Sequence, residues 1–291
     1  MQQKLFSTLK SSVLLGLFFA SVPSAANAIT ALSESDINQL APHRAVYDLT
    51  LDKSLSSANI TSASGRMVFE VTGSKCEGYL VSMRFILSVL DTKGSTNVTD
   101  VRSSSWEDGG AKRFRFNTSQ YNNRKLSKTT IGDAARKGPG LPIKVKIKSP
   151  KRSDAKFDEK AYFPTEHTKL VIDAALKGQK IVMAPIYDGT DNGNTLYDTT
   201  AFIGKELKAD EFVVKSKIKN LEQLKDMVSW PVSISFYDKK KSYKQDLLPD
   251  YEISFRLYKN GVSRDLLIDY GDFSLNGALK EIEFLPQTAC N

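Results

Sequence analysis

The sequence has 291 residues and a net charge of +8, which arises from 41 basic and 33 acidic residues. The net charge is modest and charges of both signs are present, which does not indicate a nucleic-acid-binding protein. The two histidines are too few for a His-rich zinc site, and the two cysteines alone do not supply the four ligands of a structural one.

The first 28 residues have the features of a secretory signal peptide. Lys4 and Lys10 precede an apolar run from Val13 to Val22, and small residues end at Ala28. The run is about ten residues long, whereas roughly 20 are needed to span a bilayer. We therefore predict cleavage after Ala28 and a single exported domain over 29–291.

Export also bears on the two cysteines. Cys76 lies in the first third of the chain and Cys290 is its penultimate residue. An oxidising compartment and an even count favour one disulfide over two free thiols. A metal site made from two cysteines alone is disfavoured.

Most of the chain alternates apolar and polar residues with a period of two, which is typical of strands with one buried face. Roughly a dozen such segments occur: 45–51, 66–72, 78–91, 112–118, 143–148, 181–187, 195–204, 211–219, 230–238, 251–259, 263–271 and 279–286. Because crossover helices are almost absent, we predict an antiparallel meander. The least patterned region, 129–157, is predicted to be an excursion or a mobile loop.

The basic segment "KVKIKSPKR" (144–152) opens a Lys-rich stretch that continues to residue 160. We interpret it as the solvated face of an edge strand, where lysines discourage edge-to-edge pairing. Contact with an anionic lipid or polymer is the alternative.

One long helix is predicted over about 164–177, within "YFPTEHTKLVIDAALKG" (162–178). Pro164 suits the first turn of a helix and Gly178 suits its C-terminal cap. On a helical wheel the charged residues form a narrow stripe, and apolar residues fill nearly all the rest. The simplest partner for such a helix is a sheet that curls around it.

Four polar residues are candidates for a site or for a structural role. His167 lies in the apolar arc of the helix, where it is either a buried, hydrogen-bonded histidine or a general base. We favour the buried histidine because no nucleophile or second acid–base group is indicated. Near the start of the first strand are His43, Arg44 and Asp48, with Arg44 and Asp48 on one face. A structural ion pair or a cluster at the rim is the favoured interpretation.

No motif indicates catalysis, a nucleotide cofactor or a metal, so no catalytic residue and no cofactor are predicted. The segment starting at Asp188 has some features of a calcium loop, but Thr199 occupies the position where a bidentate glutamate is required. Asp269 and Asp272 could serve hydrolysis as paired carboxylates. Both are more simply explained as hydrogen-bond acceptors at a turn.

Six segments, in this order, resemble those of the EipB family of exported Gram-negative proteins. They are "LAPHRAVYDLTL" (40–51), "SWED" (105–108), "FPTEHT" (163–168), "YDGTDNG" (187–193), "NGVSRDLLIDYGDF" (260–273) and "LPQTAC" (285–290). The resemblance covers essentially the whole mature chain. The Lys-rich "KSPKRSDAKFDEK" (148–160) departs from it and leaves the role of that segment open.

The resemblance implies a mainly β periplasmic protein, a β-spiral in which a strongly curved antiparallel sheet forms a cup around one α-helix. It also implies a Cys76–Cys290 disulfide and a non-enzymatic role in envelope integrity and stress tolerance. A periplasmic tetratricopeptide-repeat protein is the implied functional partner. The similar curved sheets of periplasmic lipoprotein carriers suggest that a lipid or another hydrophobic ligand sits in the cup.

Three functional hypotheses follow from these observations. The first is a non-enzymatic scaffold or binding module, acting as a monomer or weak oligomer. The second is a carrier of a lipid or another amphipathic ligand in the cup. The third is an envelope hydrolase that uses His167 or the paired carboxylates.

Overall fold

The computed structural model describes residues 39–158, 160–208, 213, 218–240, 248–287 and 290. The predicted signal peptide (1–28) and the start of the predicted mature domain lie outside these residues. Most of the strand predicted over 211–219 also lies outside them. Within the described part of the chain, no helix combines the length and hydrophobicity that a membrane span needs.

The described residues form fourteen strands and one α-helix. Before the helix come β1 (His43–Ser54), β2 (Ile60–Ser74), β3 (Gly78–Asp91), β4 (Thr96–Glu107), β5 (Arg113–Asn122), β6 (Lys125–Ala135), β7 (Ile143–Ser149) and β8 (Ser153–Phe157). The helix is α1 (Pro164–Leu176). After it come β9 (Ile181–Met183), β10 (Tyr197–Ile203), β11 (Ser229–Asp238), β12 (Tyr251–Tyr258), β13 (Ser263–Asp269) and β14 (Phe273–Phe284).

All fourteen strands belong to one antiparallel sheet, in the order β8-β7-β6-β5-β4-β3-β2-β1-β14-β13-β12-β11-β10-β9. β1 and β14 pair in the middle, and each half of the chain meanders outward from them. The helix joins the two outer strands. No ladder pairs β8 with β9 in the described residues, and the segments beside them meet only at a bridge between Tyr162 and Ile186. The predicted antiparallel meander is confirmed.

The sheet curls around α1. Val171 and Ile172 of the helix share one hydrophobic cluster with Val71 of β2 and Trp230 of β11. Those two strands are separated by four others in the sheet, so the helix can contact both only if the sheet bends. The predicted strongly curved sheet around one helix is therefore what the structure shows.

The two ends of the sheet differ. At one end, here called the helix end, β1 begins, β4 finishes and α1 crosses from one side to the other. The last residue of β4, Glu107, contacts the N-terminus of α1, and after the helix the carbonyl of Lys180 accepts a hydrogen bond from Ile203 at the end of β10. The opposite end, called the mouth end, has the turns that join β3 to β4, β5 to β6 and β13 to β14.

The helix has nearly the predicted bounds, Pro164–Leu176 against the expected 164–177. Pro164 is its first residue, where the missing amide hydrogen costs nothing. At the other end, Gly178 has φ +73, and the amides of Gly178 and Gln179 donate to the carbonyls of Ala175 and Ala174 at 3.0 and 2.9 Å. This pair of hydrogen bonds forms a Schellman cap, which requires the left-handed conformation that glycine adopts without strain.

The prediction of a loop over 129–157 is wrong, because β6, β7 and β8 occupy most of it. The inward positions of β6 are small: Gly132 and Ala134 stand opposite the buried rings of Phe116 and Phe114. A Cβ on Gly132 would come within 2.4 Å of the Phe116 ring. The strand must have small residues there, so it lacks the large apolar residues that reveal a strand in sequence.

The Lys-rich strand β7 lies next to the edge of the sheet, whereas it was expected to be the edge strand itself. Lys144, Lys146 and Lys148 of β7 are exposed and alternate with the buried Ile143, Val145 and Ile147. The solvated face is therefore observed. The edge of the sheet, however, is β8, because Ser153–Phe157 folds back to pair with β7.

Candidate functional site

A cavity of about 740 Å³ lies inside the curled sheet, between the core around α1 and the mouth end. Its wall is mostly apolar and is built from inward-facing positions of β2, β3, β12 and β13. The main lining residues are Met67, Phe69, Met83, Phe85, Leu87, Ile253, Phe255, Leu266 and Ile268. Preformed, mostly apolar concavities of about 300–1,000 Å³ with a few polar groups are the usual form of small-molecule sites.

Aromatic residues surround this cavity near the mouth end. Tyr197, Tyr251, Tyr270 and Phe273 all line it. The ring of Tyr270 stacks on that of Phe273 with centroids 5.0 Å apart, and the hydroxyl of Tyr197 donates to the Asp191 carboxylate at 2.5 Å. Tyrosine combines an apolar ring with a polar tip, so this wall suits the boundary between an apolar chain and water.

A buried carboxylate holds the N-terminus of α1 at the helix end. Glu107 of β4 is 3% exposed, and its two carboxylate oxygens accept the backbone amides of Thr165 and Glu166 at 2.8 and 2.9 Å. These amides have no partner within the helix, so a carboxylate there both caps them and complements the helix dipole. Burial raises the pKa of Glu107 to about 7, while the two amide donors act in the opposite direction.

Arg136 is the second buried charged residue near the N-terminus of α1, and its side chain is fully buried. Its Nε donates to the carbonyl of Ala111 at 2.7 Å, and Nη1 donates to the carbonyl of Ala161. Its Nη2 donates to the Glu166 carboxylate, which also accepts the amide of Phe163 at 3.2 Å. Arg136 therefore joins the β4–β5 turn, the segment before α1 and the first turn of the helix.

His167 is 3% exposed and joins α1 to β10. Its Nε2 lies 2.8 Å from the hydroxyl of Thr199, and that hydroxyl donates to the carbonyl of Ala184 at 2.6 Å. Because the single hydroxyl hydrogen is already used, His167 must donate to Thr199 from Nε2. Burial lowers its pKa to about 4, so the ring is neutral near pH 7, with its other nitrogen unprotonated. His167 does not line the apolar cavity.

This environment makes the effect of His167→Gln depend on pH. The folded-state pKa of about 4 lies below the ordinary 6.5, so the stability that neutral His167 supplies is present above pH 6.5 and is lost as the pH falls toward 4. We expect His167→Gln to lower the free energy of unfolding by about 1–3 kcal/mol at neutral pH. In urea titrations at several pH values, this difference from wild type should shrink as the pH falls.

Thr199→Val is the matched control for that experiment. It removes the partner of His167 but keeps the titrating ring, so its difference from wild type should not vanish on acidification. A His167→Gln difference that stays constant between neutral and acidic pH would contradict the burial of a neutral histidine.

The other three candidate polar residues lie at separate places. His43 is buried, and its Nδ1 donates to the carbonyl of Ala41 at 2.7 Å. Arg44 lies on the convex face with its Nε 4.0 Å from Glu70. Asp48, on the same face, accepts two bonds from Arg66, at 2.9 and 2.7 Å. Arg44 and Asp48 thus make cross-strand ion pairs with β2, not with each other, and none of the three lines the apolar cavity.

The structure joins Cys76 to Cys290 in a disulfide with a Cα–Cα distance of 5.7 Å. Cys76 lies in the β2–β3 turn at the helix end, and Cys290 follows β14. The bond connects the C-terminal segment to the opposite half of the sheet.

The groups considered for metal binding or hydrolysis are engaged otherwise. Asp188 accepts the amide and the hydroxyl of Thr190 at 2.9 and 2.7 Å, and Thr199 is bonded to His167. Asp269 accepts the amide of Gly271 at 2.7 Å, as expected for a turn. Among the described residues, no group of three His, Cys, Asp or Glu side chains is arranged to hold a metal.

The sequence did not reveal the structural roles of Glu107, Arg136 and Thr199, and Thr199 was considered only as a position in a calcium-loop pattern. Glu107 lies in the "SWED" segment, which was recognised only as a point of resemblance, and Arg136 lies in the region predicted to be a loop. The signal that could have identified Glu107 is its inward position on β4, where a charged residue needs a specific partner. Arg136 gave no such signal, because the small inward residues Gly132 and Ala134 conceal the strand that precedes it.

The chain is similar to known proteins over nearly its full length. Residues 34–286 match the family model described as EipB-like. The cell envelope integrity protein EipB of Brucella abortus (strain 2308) is 36% identical over 275 residues, which cover 94% of this chain and 91% of that protein. A crystal structure of a beta-barrel-like protein of domain of unknown function DUF1849 from Brucella abortus is 33% identical, with a TM-score of 0.76, and the match covers 85% of this chain and 99% of that one.

Proposed function

The chain belongs to the EipB-like family, and we propose on this premise that it supports cell-envelope integrity as a non-enzymatic, periplasmic binding module. The observation that carries the binding role is the apolar cavity of about 740 Å³ inside the curled sheet. A module that acts only as a scaffold needs no such cavity, since unfilled apolar space lowers stability.

Non-enzymatic action is supported by what the buried polar groups already do. The carboxylate of Glu107 holds the helix amides, Arg136 satisfies two carbonyls and Glu166, and His167 is hydrogen-bonded within the core. None of these four side chains lines the cavity. A general acid or base must be within hydrogen-bonding reach of the bound substrate, and these groups are not placed for that.

A carrier of a lipid or another amphipathic molecule is the second candidate function. It is favoured by the contrast between the apolar wall of Phe, Leu, Met and Ile side chains and the tyrosines near the mouth end. An acyl chain in this cavity would replace contact with water by contact with apolar side chains, at about 25 cal/mol per Å² of apolar surface buried.

Filling the cavity should abolish binding without unfolding the protein. Met83 lies on the inward face of β3 and lines the cavity, whereas Leu80 lies on the outward face of the same strand and is 40% exposed. We expect Met83→Trp to reduce the lipid that co-purifies from the periplasm by about tenfold or more, because the larger side chain occupies the space of the ligand. Leu80→Trp should leave it unchanged.

The measurement is native mass spectrometry of protein purified from its own periplasm. Lipid bound to the wild type and to Leu80→Trp, but not to Met83→Trp, supports the cavity as the binding site. Wild-type protein that is free of lipid, and that binds no twelve-carbon detergent in titration, would contradict the binding role.

The link to envelope integrity is tested in cells. A strain that lacks the protein should grow poorly in detergent or with cell-wall antibiotics, and the wild-type gene should restore growth. If binding is what matters, Leu80→Trp should complement and Met83→Trp should not. Growth of the deletion strain that equals wild type under both stresses would count against the proposed function.

A further inference from the structure

A second, smaller cavity adjoins the apolar one near the mouth end. Its volume is about 210 Å³, and it shares Val101, Gln120 and Thr190 with the larger cavity. It lies between the inward faces of β5 and β6 and the loop that follows β9. A ligand whose chain fills the larger cavity could extend one end into this smaller one.

The smaller cavity is lined differently from the larger one. Six of its eight lining residues have hydroxyl, amide or charged side chains: Thr118, Gln120, Lys128, Thr130, Thr190 and Asp191. Thr118 pairs with Thr130, and Gln120 with Lys128, in neighbouring positions of β5 and β6. Polar groups therefore converge at one end of an apolar cavity, which is how a site for an amphipathic molecule fixes the orientation of its ligand.

The smaller cavity has one charge of each sign. The Nζ of Lys128 lies 3.9 Å from the Asp191 carboxylate, and their side chains are 37% and 56% exposed. A head group with one net charge would meet a like charge as well as an opposite one. A head group with both signs can pair with each residue, and like-charge contacts would disfavour purely anionic or purely cationic heads.

The loop that presents Asp191 is held in place before any ligand binds. Asp188 accepts the amide and hydroxyl of Thr190, and Gly189 packs so closely on the Phe116 ring that a Cβ there would come within 2.5 Å of it. Asp191 also accepts the hydroxyl of Tyr197, which lines the apolar cavity. A fixed loop lowers the entropic cost of binding.

We propose that the smaller cavity is a subsite for a zwitterionic head group that has a phosphate and an ammonium. The phosphate lies toward Lys128 and the hydroxyls of Thr118 and Thr130, the ammonium lies toward Asp191, and the acyl chain occupies the larger cavity. This assignment rests on the proposed function, because it names the ligand class of the same cavity.

The test compares four probes that share a twelve-carbon chain and differ in the head. They are dodecylphosphocholine, monododecyl phosphate, dodecyltrimethylammonium and dodecyl maltoside, titrated below their micelle concentrations by calorimetry into the whole protein. We expect the wild type to bind dodecylphosphocholine about tenfold more tightly than the anionic or the cationic probe.

Two variants connect this preference to the subsite. Lys128→Gln and Asp191→Asn should each weaken dodecylphosphocholine about tenfold and change the affinity for dodecyl maltoside by less than about twofold. Asparagine tolerates the positive φ of 46° at position 191 and can still accept the hydroxyl of Tyr197. Lys125→Gln, an exposed lysine at the start of β6 outside both cavities, is the matched control and should change neither affinity.

The possible failures are distinguishable. Equal affinity of all four probes, or strongest binding of a singly charged one, overturns the head-group subsite and leaves the apolar cavity as a binding site. Loss of dodecylphosphocholine and dodecyl maltoside affinity to the same extent in Lys128→Gln and Asp191→Asn also overturns it. Absence of binding of every probe to the wild type overturns both the subsite and the binding role.

Discussion

Arg136→Met is expected to lower the free energy of unfolding by about 3–5 kcal/mol, because removing one partner of a buried ion pair leaves the other without compensation. The variant loses bonds to the carbonyls of Ala111 and Ala161 and to the Glu166 carboxylate. Methionine fills similar space but satisfies none of these acceptors. Urea unfolding followed by circular dichroism measures the change.

Two further variants show whether the cost comes from the unpaired charge. Adding Glu166→Gln to Arg136→Met removes the charge that the first substitution leaves unpaired, so the two effects should be less than additive. Arg152→Met replaces an exposed arginine in the β7–β8 turn and should change the free energy of unfolding by less than about 0.5 kcal/mol. If Arg136→Met costs no more than this control, the buried network does not stabilise the fold.

Loss of the disulfide is expected to have an effect of similar size. Cys76 and Cys290 are 214 residues apart in sequence. In the chain-entropy model, cross-linking a loop of this length stabilises by about 5 kcal/mol, and measured losses are about 2–5 kcal/mol. We expect the double variant Cys76→Ser/Cys290→Ser to unfold at a correspondingly lower urea concentration than the oxidised wild type.

Dithiothreitol gives the internal control for that comparison. It should shift the unfolding midpoint of the wild type toward that of the double variant and should leave the midpoint of the double variant unchanged. An oxidised wild type and a double variant that unfold at the same urea concentration would show that the bond adds no stability.

The sequence predicted well those elements whose pattern reflects close packing. The helix was placed within one residue of its observed end because Pro164 and Gly178 have specific roles at helix termini. Strands β1, β2 and β3 were recognised because their inward residues are large and apolar. β4 was missed because its inward residues include Thr99, Ser103 and Ser105, which are small and polar.

The candidate site could not be predicted to the same extent. Its cavity wall combines residues of β2, β3, β12 and β13, and the sequence does not show that these strands face each other across a curled sheet. The contact between Glu107 and the helix spans 58 residues and depends on that same curvature. His167 was predicted to be buried and hydrogen-bonded, but the sequence did not show which residue would be its partner. A threonine hydroxyl lies between the ring and a carbonyl.

The pairing of β1 with β14 constrains the order in which the strands of the sheet can assemble during folding. β1 is the first strand and β14 the last of those described, so the ladder at the centre of the sheet joins the most distant parts of the chain. Strands β1–β8 can pair with their neighbours in sequence as soon as they are available, but the two halves of the sheet stay separate until β14 pairs with β1. Non-local pairing of this kind is slow. We therefore expect the folding chain to pass through a state in which only one half of the sheet has formed and its apolar inner face is exposed to aggregation.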